Sequence, residues 1–436
     1  MRFPKPVLVF FLALLFVFQL ASAQESPVKR ALTIDECIEI ALKNNYQIRA
    51  SYEAHRAAQA EITSARSRLL PNIYTSAGWT RNDEERFIYT EGINPYYSRD
   101  FYDYGLRLSQ SIFNGGYNWA NLSSAGAREE AAYADYKLSQ QAVSLTIKQD
   151  CYEVLKAKEL LEVQKDAVKR SQEQMNMAKA RYDLGSASMS DYLKAKVQLG
   201  NDNLALITAE NSLKLAHANL NNDLGIDLEP AVDVAAELEY QKLEVDVDQV
   251  VNQRLEVHPE IKKVESQVSQ AKSSITMARS ALLPSVSFSG SYSWSDARTP
   301  DSWSDWKMND SWRIGISIGL NVFDGFQSLA NIQRGKANLR SVEESSKQKR
   351  RDVELEIRQA YLAVKEAEQK IEVTDEALKA AEQDLKLTQE KYNLGAASML
   401  ELLDADVSYK TAKNNQVNAL YDYNLAVAMF EKAIGK

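Results

Sequence analysis

The fold of this chain is decided by a stretch that occurs twice. Residues 181–195 read RYDLGSASMSDYLKA and residues 391–405 read KYNLGAASMLELLDA, an offset of 391 - 181 = 210 residues. In each copy one helical pattern runs up to a glycine, and a second helical pattern leaves it three residues later. The chain is therefore predicted to be an internal duplication, with a helical hairpin and a tight turn at its tip in each half.

A second repeated landmark marks a change of sequence period. The segments ARSRLLP at 65–71 and ARSALLP at 278–284 both end in proline, which stops a helix. After each proline the pattern alternates with a period of two, as in the serines at every odd position from Ser285 to Ser295. This alternation predicts strands with polar loops at 81–100 and 296–311 between them. The predicted strands lie at about 72–80 and at 101–113, 285–295 and 312–323.

One face of each predicted strand is apolar and the other is small and polar. Aromatic residues lie toward the strand ends at Tyr102, Tyr292, Trp294 and Trp312, where a membrane strand has its interfacial girdle. A length of about ten residues also suits a tilted membrane strand. A soluble sheet with one wet face is the alternative. The membrane interpretation is favoured because the rest of the chain is heptad helix and offers no matching apolar layer.

Two long segments without proline, 117–182 and 327–392, predict long helices. A continuous helix of this length would extend about 100 Å, which is too long for a globular core. A heptad seam runs from Val353 to Tyr392, and its copy runs from Val143 to Tyr182. The seam contains small and polar residues, so we expect helices packed side by side around a wide tube.

Residues 1–23 are predicted to be a signal peptide. Arg2 and Lys5 precede an apolar run from Val7 to Leu20, and Ala21-Ser22-Ala23 follows. A membrane-spanning helix needs about 20 apolar residues, so a retained anchor is the weaker alternative. Cleavage would change the formal charge from -8 to -10, which argues against a nucleic-acid partner. The mature chain then divides into a first repeat, 24–230, and a second repeat, 231–436.

The cysteine and histidine residues give no sign of chemistry. Cys37 and Cys151 lie in separate helical patterns and are predicted to be small buried residues rather than a disulfide. His55, His217 and His258 are isolated, and no metal-ligand spacing or nucleophile motif is present. We therefore expect neither a cofactor nor a metal, and no enzyme activity.

The order of these features resembles the outer-membrane efflux protein family, the TolC-like outer membrane factors. The resemblance rests on the signal, the LLP helix ends, the strand pairs and the doubled RYxxGxxSxxDxLxA tip, and it covers essentially the whole mature chain. It implies an α+β membrane protein with four membrane β-strands and long antiparallel coiled-coil helices per chain. It also implies a homotrimer with a twelve-stranded β-barrel and a twelve-helix α-barrel, in the outer membrane of a Gram-negative-type bacterium.

The implied function is the exit duct of a tripartite efflux or type I secretion system. Its partners would be outer-membrane lipid, a periplasmic adaptor and an inner-membrane transporter. The residues alone already require several chains, because four strands cannot close a barrel and open edges in lipid are costly. A soluble periplasmic coiled-coil scaffold or adaptor is the alternative function, although such a protein would not need the alternating strands.

The resemblance also assigns roles to residues of the two tips, although they could simply make a stable turn. The adaptor-docking positions would be Arg181, Tyr182, Gly185, Ser188, Leu193, Lys391, Tyr392, Gly395, Ser398 and Leu403. An acidic constriction at the periplasmic entrance would contain Glu401, Asp404 and Asp191, unless these are ordinary solvated helix charges. The first repeat has Lys194 opposite Asp404, so the two hairpins should differ at this point.

Overall fold

The structure, a computed structural model, describes residues 31–88, 96–299 and 309–435. The predicted signal peptide, 1–23, lies outside the described residues. In chain order the elements are α1 (Ile34–Asn44), α2 (Tyr46–Ser67), β1 (Asn72–Ile88), β2 (Tyr96–Asn114), α3 (Tyr117–Asp183), α4 (Met189–Leu224), α5 (Val247–Arg254), a short 3-10 helix (Leu255–Val257), α6 (Pro259–Ser280), β3 (Ser285–Asp296), β4 (Asp310–Gly319), α7 (Gln327–Asn393) and α8 (Met399–Ala433).

The long helices α3 and α7 have 67 residues each, and both follow the prediction to within one residue. α3 packs against α4, and α7 packs against α8, so each repeat contains one long helical hairpin. The predicted heptad seams are buried at matching positions of the two repeats. These are Val143, Ile147, Val154 and Ala157 in α3, and Val353, Ile357, Val364 and Ala367 in α7.

The strands form one antiparallel sheet in the order β1-β2-β3-β4. Its register places cross-strand neighbours of the same character on the same face of the sheet. Leu106 pairs with Tyr292, which pairs with Trp312, whereas Ser293 pairs with Ser311 and their hydroxyls lie 2.9 Å apart. One face is therefore apolar and aromatic, and the other is lined by small polar side chains. Within the described chain, β1 and β4 each have a neighbour on one side alone.

The strand bounds differ from the prediction in both pairs. The predicted loop 81–100 was wrong in part, because β1 continues to Ile88 and β2 begins at Tyr96. β4 was predicted to reach residue 323 but ends at Gly319. The partner of Gly319 is Ser285, the first residue of β3, so residues beyond Gly319 have no strand to pair with. Residues 89–95 and 300–308 of the two predicted loops lie outside the described residues.

One aromatic residue of the predicted girdle is not exposed on the sheet. Trp294 is only 1% exposed, and its ring lies 5.4 Å from that of Tyr104. Trp312, by contrast, is 72% exposed on the same face. Of Trp294 and Trp312, only Trp312 is exposed to whatever surrounds the sheet.

No helix in the described ranges is both long enough and apolar enough to cross a lipid bilayer.

Candidate functional site at the hairpin tips

The two tips share one backbone design. α3 ends in a turn in which Gly185 has φ 75°, and the amide of Ser186 donates to the carbonyl of Arg181 at 2.8 Å. α7 ends in the same way, with Gly395 at φ 76° and the amide of Ala396 donating to Lys391. This helix ending needs a left-handed residue, which glycine adopts without strain. The predicted tip glycines are thus explained by the turn itself.

The predicted serines begin the returning helices. Ser188 Oγ accepts from the amide of Asp191 at 3.1 Å, and the Asp191 carboxylate accepts from the amide of Ser188 at 3.2 Å. Ser398 and Glu401 make the same reciprocal pair at 3.2 and 2.6 Å. Both are capping boxes, which satisfy amide groups that the first turn of a helix leaves unpaired. Two of the three predicted constriction acids therefore have a structural partner at their own helix terminus.

The capping contact changes the acidity of Glu401. Its hydrogen bonds from the backbone and side chain of Ser398 lower the pKa of the exposed carboxyl below its ordinary value. A carboxylate that accepts hydrogen bonds at a helix N-terminus is favoured in its charged form. The negative charge at this place is therefore part of the turn and does not depend on a ligand.

The two tips also contact each other, and they do so unequally. The guanidinium of Arg181 lies 4.3 Å from the ring centroid of Tyr392, and its Nη2 donates to the carbonyl of Asn393 at 3.0 Å. Tyr392 is only 4% exposed, and this burial raises its pKa. The related tyrosine of the first tip, Tyr182, is 41% exposed. The apolar tip cluster contains Ala178, Ala195, Tyr392, Met399, Leu402 and Leu403.

An open groove of about 720 Å³ separates the first turns of α4 and α8. Leu193, Val197 and Leu400 line it, and they are 47%, 63% and 52% exposed. Lys194 and Asp404, the pair in which the two repeats differ, lie on the same groove. The structure therefore brings the predicted docking residue Leu193 and the predicted constriction residue Asp404 to one surface. Lys391 is exposed beside the tip.

Sequence reasoning missed two buried ion pairs that connect the hairpins. Arg170 on α3 contacts Asp406 on α8 at 2.7 Å, and Lys410 on α8 contacts Asp202 on α4 at 2.7 Å. The two acids are 1% and 0% exposed. The sequence does set these four charged residues apart, because the positions related to them by the 210-residue repeat offset carry no pair of opposite charges. Those positions are Ala380, Lys196, Gly200 and Ala412.

The histidines are structural in this chain. His55 contacts Glu129 at 2.6 Å, the ring of His217 hydrogen-bonds the carbonyl of Val232, and His258 caps α6. Among the described residues there is no group of three or more His, Cys, Asp or Glu that could hold a metal ion.

A two-faced sheet that continues into helices about 100 Å long, with repeated tips at the far end, defines the class of outer-membrane channels with a helical extension. The family model described as "Outer membrane efflux protein" matches residues 37–225 and 250–436, and the chain belongs to this family.

Relatives match over nearly the whole chain. The outer membrane protein TolC of Vibrio cholerae is 24% identical over 416 residues, which cover 93% of this chain and 91% of TolC. Protein CyaE of Bordetella pertussis is 26% identical over 391 residues, covering 88% of this chain and 80% of CyaE.

Solved structures show the same fold. The CmeC outer membrane channel of Campylobacter jejuni has a TM-score of 0.80 at 18% identity and covers 95% of this chain and 90% of its own. VceC of Vibrio cholerae has a TM-score of 0.78 at 19% identity, with coverages of 92% and 96%.

These findings confirm the predicted family, the TolC-like α+β fold, the outer-membrane location and the function as an outer-membrane channel of efflux and secretion systems. The proteins that this chain resembles are channel proteins.

Proposed function

We propose that three copies of this chain form one exit duct, which receives substrates from a periplasmic adaptor and an inner-membrane transporter. The observation that carries the proposal is the four-stranded sheet, with one apolar face and an edge strand at each side. In lipid, each unpaired backbone group of an edge costs several kcal/mol. Three copies would pair every edge in a barrel of twelve strands, with the Ser and Gly face toward an aqueous interior.

The helices support the same assembly. Each copy supplies two long hairpins, so three copies would line a tunnel with twelve helices. Apolar side chains remain exposed along the hairpins of the single chain, including Val197 and Leu204 on α4 at 63% and 66%, and Leu362 and Val373 on α7 at 64% and 66%. An exposed apolar stripe of this kind is a contact surface for another chain. A neighbouring copy would cover it.

At the entrance, Glu401 and Asp404 are proposed to form rings of negative charge, with Asp191 nearby. Rings of carboxylates at a constriction favour cations over anions. Asp404 has no capping role in the described structure, whereas Glu401 is held by Ser398. Lys194 stands at the place of Asp404 in the first hairpin, so the second hairpin is proposed to line the narrowest ring.

The adaptor is proposed to dock on the tip residues that the family resemblance assigns, from Arg181 to Leu193 and from Lys391 to Leu403. The groove between α4 and α8 offers Leu193 and Leu400 as exposed apolar contacts beside the charges of Lys194 and Asp404. Apolar anchors within a polar rim are typical of protein interfaces. The transported substrate is left to the inner-membrane partner.

The assembly is tested by purifying the protein from outer membranes in mild detergent and measuring its mass by native mass spectrometry. We expect a trimer that stays with the membrane after carbonate washing and conducts ions in planar bilayers. Release by carbonate as a monomer without conductance would contradict the proposal and favour a soluble scaffold.

The entrance ring is tested with Glu401→Gln combined with Asp404→Asn, since glutamine can keep the capping contact. We expect lower cation selectivity and weaker block by multivalent cations in single-channel recordings. Glu382→Gln, an exposed position on α7, is the matched control. Unchanged selectivity and block in the double variant would rule out the ring.

Docking is tested with Leu193→Arg, which puts a charge on the tip groove. We expect the adaptor that co-purifies with the wild-type protein to be lost, while the trimer remains intact. Asn203→Arg lies on the same helix, about 15 Å further from the tip, and should retain the adaptor. Equal retention by both variants would contradict docking at this groove.

A further inference from the structure

The two cysteines of the chain meet in its interior. Cys37 lies on α1 and Cys151 lies near the middle of α3, and each is 0% exposed. Both belong to one apolar cluster, together with Ile147 and Leu220. Their thiols are free in the structure, and they lie close enough together to influence each other's pKa. Residues that are 114 positions apart in sequence are thus brought together in one buried cluster.

The environment distinguishes the two sulfurs. The hydrogen bond from its neighbour lowers the pKa of the Cys37 thiol, whereas the same contact, reinforced by burial, raises the pKa of the Cys151 thiol. A thiolate is the attacking species in disulfide exchange. This difference belongs to the docked pair, in which both sulfurs are buried, so it does not set the order in which the two thiols react.

The location of the protein determines whether such a thiol pair is oxidised. An outer-membrane protein folds after export, in a compartment where disulfides form and persist. The sequence contains no cysteine besides these two, so within one chain each has a single possible partner. We propose that Cys37 and Cys151 form a disulfide in the exported protein and thereby staple α1 onto the long helix α3.

The bond forms by exchange with the disulfide of a periplasmic thiol oxidoreductase. The thiolate of one cysteine attacks that disulfide, and one sulfur of the oxidoreductase leaves as a thiolate. The thiolate of the other cysteine then attacks the cysteine sulfur of the mixed disulfide, forms the Cys37–Cys151 bond and releases the second sulfur of the oxidoreductase. The two protons of the cysteine thiols pass to the leaving thiolates, and the oxidoreductase becomes a dithiol. Because both sulfurs are fully buried in the folded chain, the exchange takes place before α1 docks.

The second repeat shows that this contact does not require sulfur. The positions related to Cys37 and Cys151 by the two repeat offsets are Val250 and Tyr361, and both pack against the corresponding apolar cluster. An ordinary apolar contact therefore holds α5 near α7. The thiol pair belongs to the first repeat alone, where it would fix the helix that begins the described chain.

The test uses full-length protein from outer membranes, quenched in acid and alkylated with N-ethylmaleimide under denaturing, non-reducing conditions. We expect no adduct, an intact mass two hydrogens below that of the dithiol, and a peptide that links Cys37 to Cys151. Two alkylated thiols, or a Cys37–Cys37 link between copies, would overturn the proposal. In Cys37→Ala, the remaining Cys151 should become fully alkylated.

A second measurement tests the stapling role. The wild-type protein is reduced during mild denaturation and refolded, with reduction verified by alkylation, and its thermal midpoint is compared with that of the oxidised protein. We expect a fall of about 5 °C or more, because a bridge across a long loop restricts the unfolded chain. The double variant Cys37→Ala with Cys151→Ala should not respond to reductant. An unchanged wild-type midpoint after verified reduction would overturn the stapling role.

Discussion

Tyr182 and Tyr392 occupy the same position in the two repeats, at the last turn of α3 and of α7, yet the first is 41% exposed and the second 4%. The backbone turns around them are the same. What differs is the neighbour, since Arg181 covers Tyr392 while Lys391, its counterpart, is exposed. Within one chain, the tips are therefore equivalent in local structure and unequal in their contacts.

The same inequality continues along the helices. The intrachain seam, defined here as the contact of α8 with α3 and α4, contains the ion pairs Arg170–Asp406 and Asp202–Lys410. In a trimer, repeat symmetry would create an interchain seam, the contact of α4 of one copy with α7 and α8 of the next. There Lys196 would stand opposite Ala380. We expect the two hairpins of one chain to move together and the proposed entrance to open at the interchain seam.

The largest expected effect comes from Asp406→Ala. It leaves Arg170 without its carboxylate in a largely covered contact, and breaking a buried pair in this way costs about 3 kcal/mol. Hydrogen exchange in α8 around this residue should accelerate on the order of 100-fold at this cost. Lys196→Ala, the repeat-related change, should have almost no effect. An equal acceleration of exchange in Asp406→Ala and Lys196→Ala would show that the intrachain seam is not held more tightly than the interchain seam.

Loss of a cap should come next. Ser398→Ala and Ser188→Ala each remove the hydroxyl that accepts the amide at the third position of the returning helix, at a cost of about 1 kcal/mol. Both should accelerate hydrogen exchange in the first turn of their own helix about fivefold. Because the turns are alike, the two changes should be alike. A clear difference in exchange acceleration between the two variants would show that the two tips already differ in backbone structure.

Arg181→Ala should affect stability about as much as the loss of one cap, and it should also affect gating. It removes a cation–π contact and a hydrogen bond to Asn393, together worth about 1 kcal/mol at an exposed site. The open population in planar-bilayer recordings should rise about fivefold. Lys391→Ala is the matched control, with little change expected. An increase in Lys391→Ala equal to that in Arg181→Ala would mean that the interchain seam carries the same contact.

The smallest effect concerns a position where the heptad seam is polar in one copy. Burial, followed by a hydrogen bond with Asp223, raises the pKa of Asp150 to about 7, and the second repeat has Ala360 there. A raised carboxyl pKa means that ionisation costs stability, so the contribution is favourable at low pH and is lost as the pH rises toward 7. Asp150→Asn should therefore gain a few degrees in thermal midpoint over wild type above pH 7, and about none near pH 4.

Asp166→Asn, at an exposed position on the same helix, is the control for this pH series. A midpoint difference between Asp150→Asn and wild type that does not change with pH would show that the carboxyl has an ordinary acidity.

The parts of the fold that were predictable are those with a strong local pattern. α3 and α7 could be predicted because the absence of proline and a heptad of apolar residues are properties of the segment itself. The strand beyond Arg81 was missed because residues such as Asp83 and Glu84 have the composition of a loop. They lie in an irregular stretch of the strand between Arg81 and Arg86, and the strand continues because Arg86 and the residues after it pair with β2. Pairing is not a local property.

The candidate site shows the same limit. Gly185 and Ser188 could be assigned from the turn chemistry that their spacing requires. The partner of Tyr392 could not, because the sequence alone does not bring Arg181 to it from 211 residues away. The ion pair of Arg170 with Asp406 was hidden for the same reason. Comparing the repeats would have flagged the charges, without showing that they meet.

The capping box of α8 affects the charge of the tip at low pH. Ser398 keeps the pKa of the Glu401 carboxyl below that of an ordinary surface glutamate, so this charge persists at acidities that would neutralise its unbound equivalents. At low pH the proposed entrance would therefore keep this negative charge. The hydrogen bonds that start a helix thus also make the charge pattern of the tip resistant to acid.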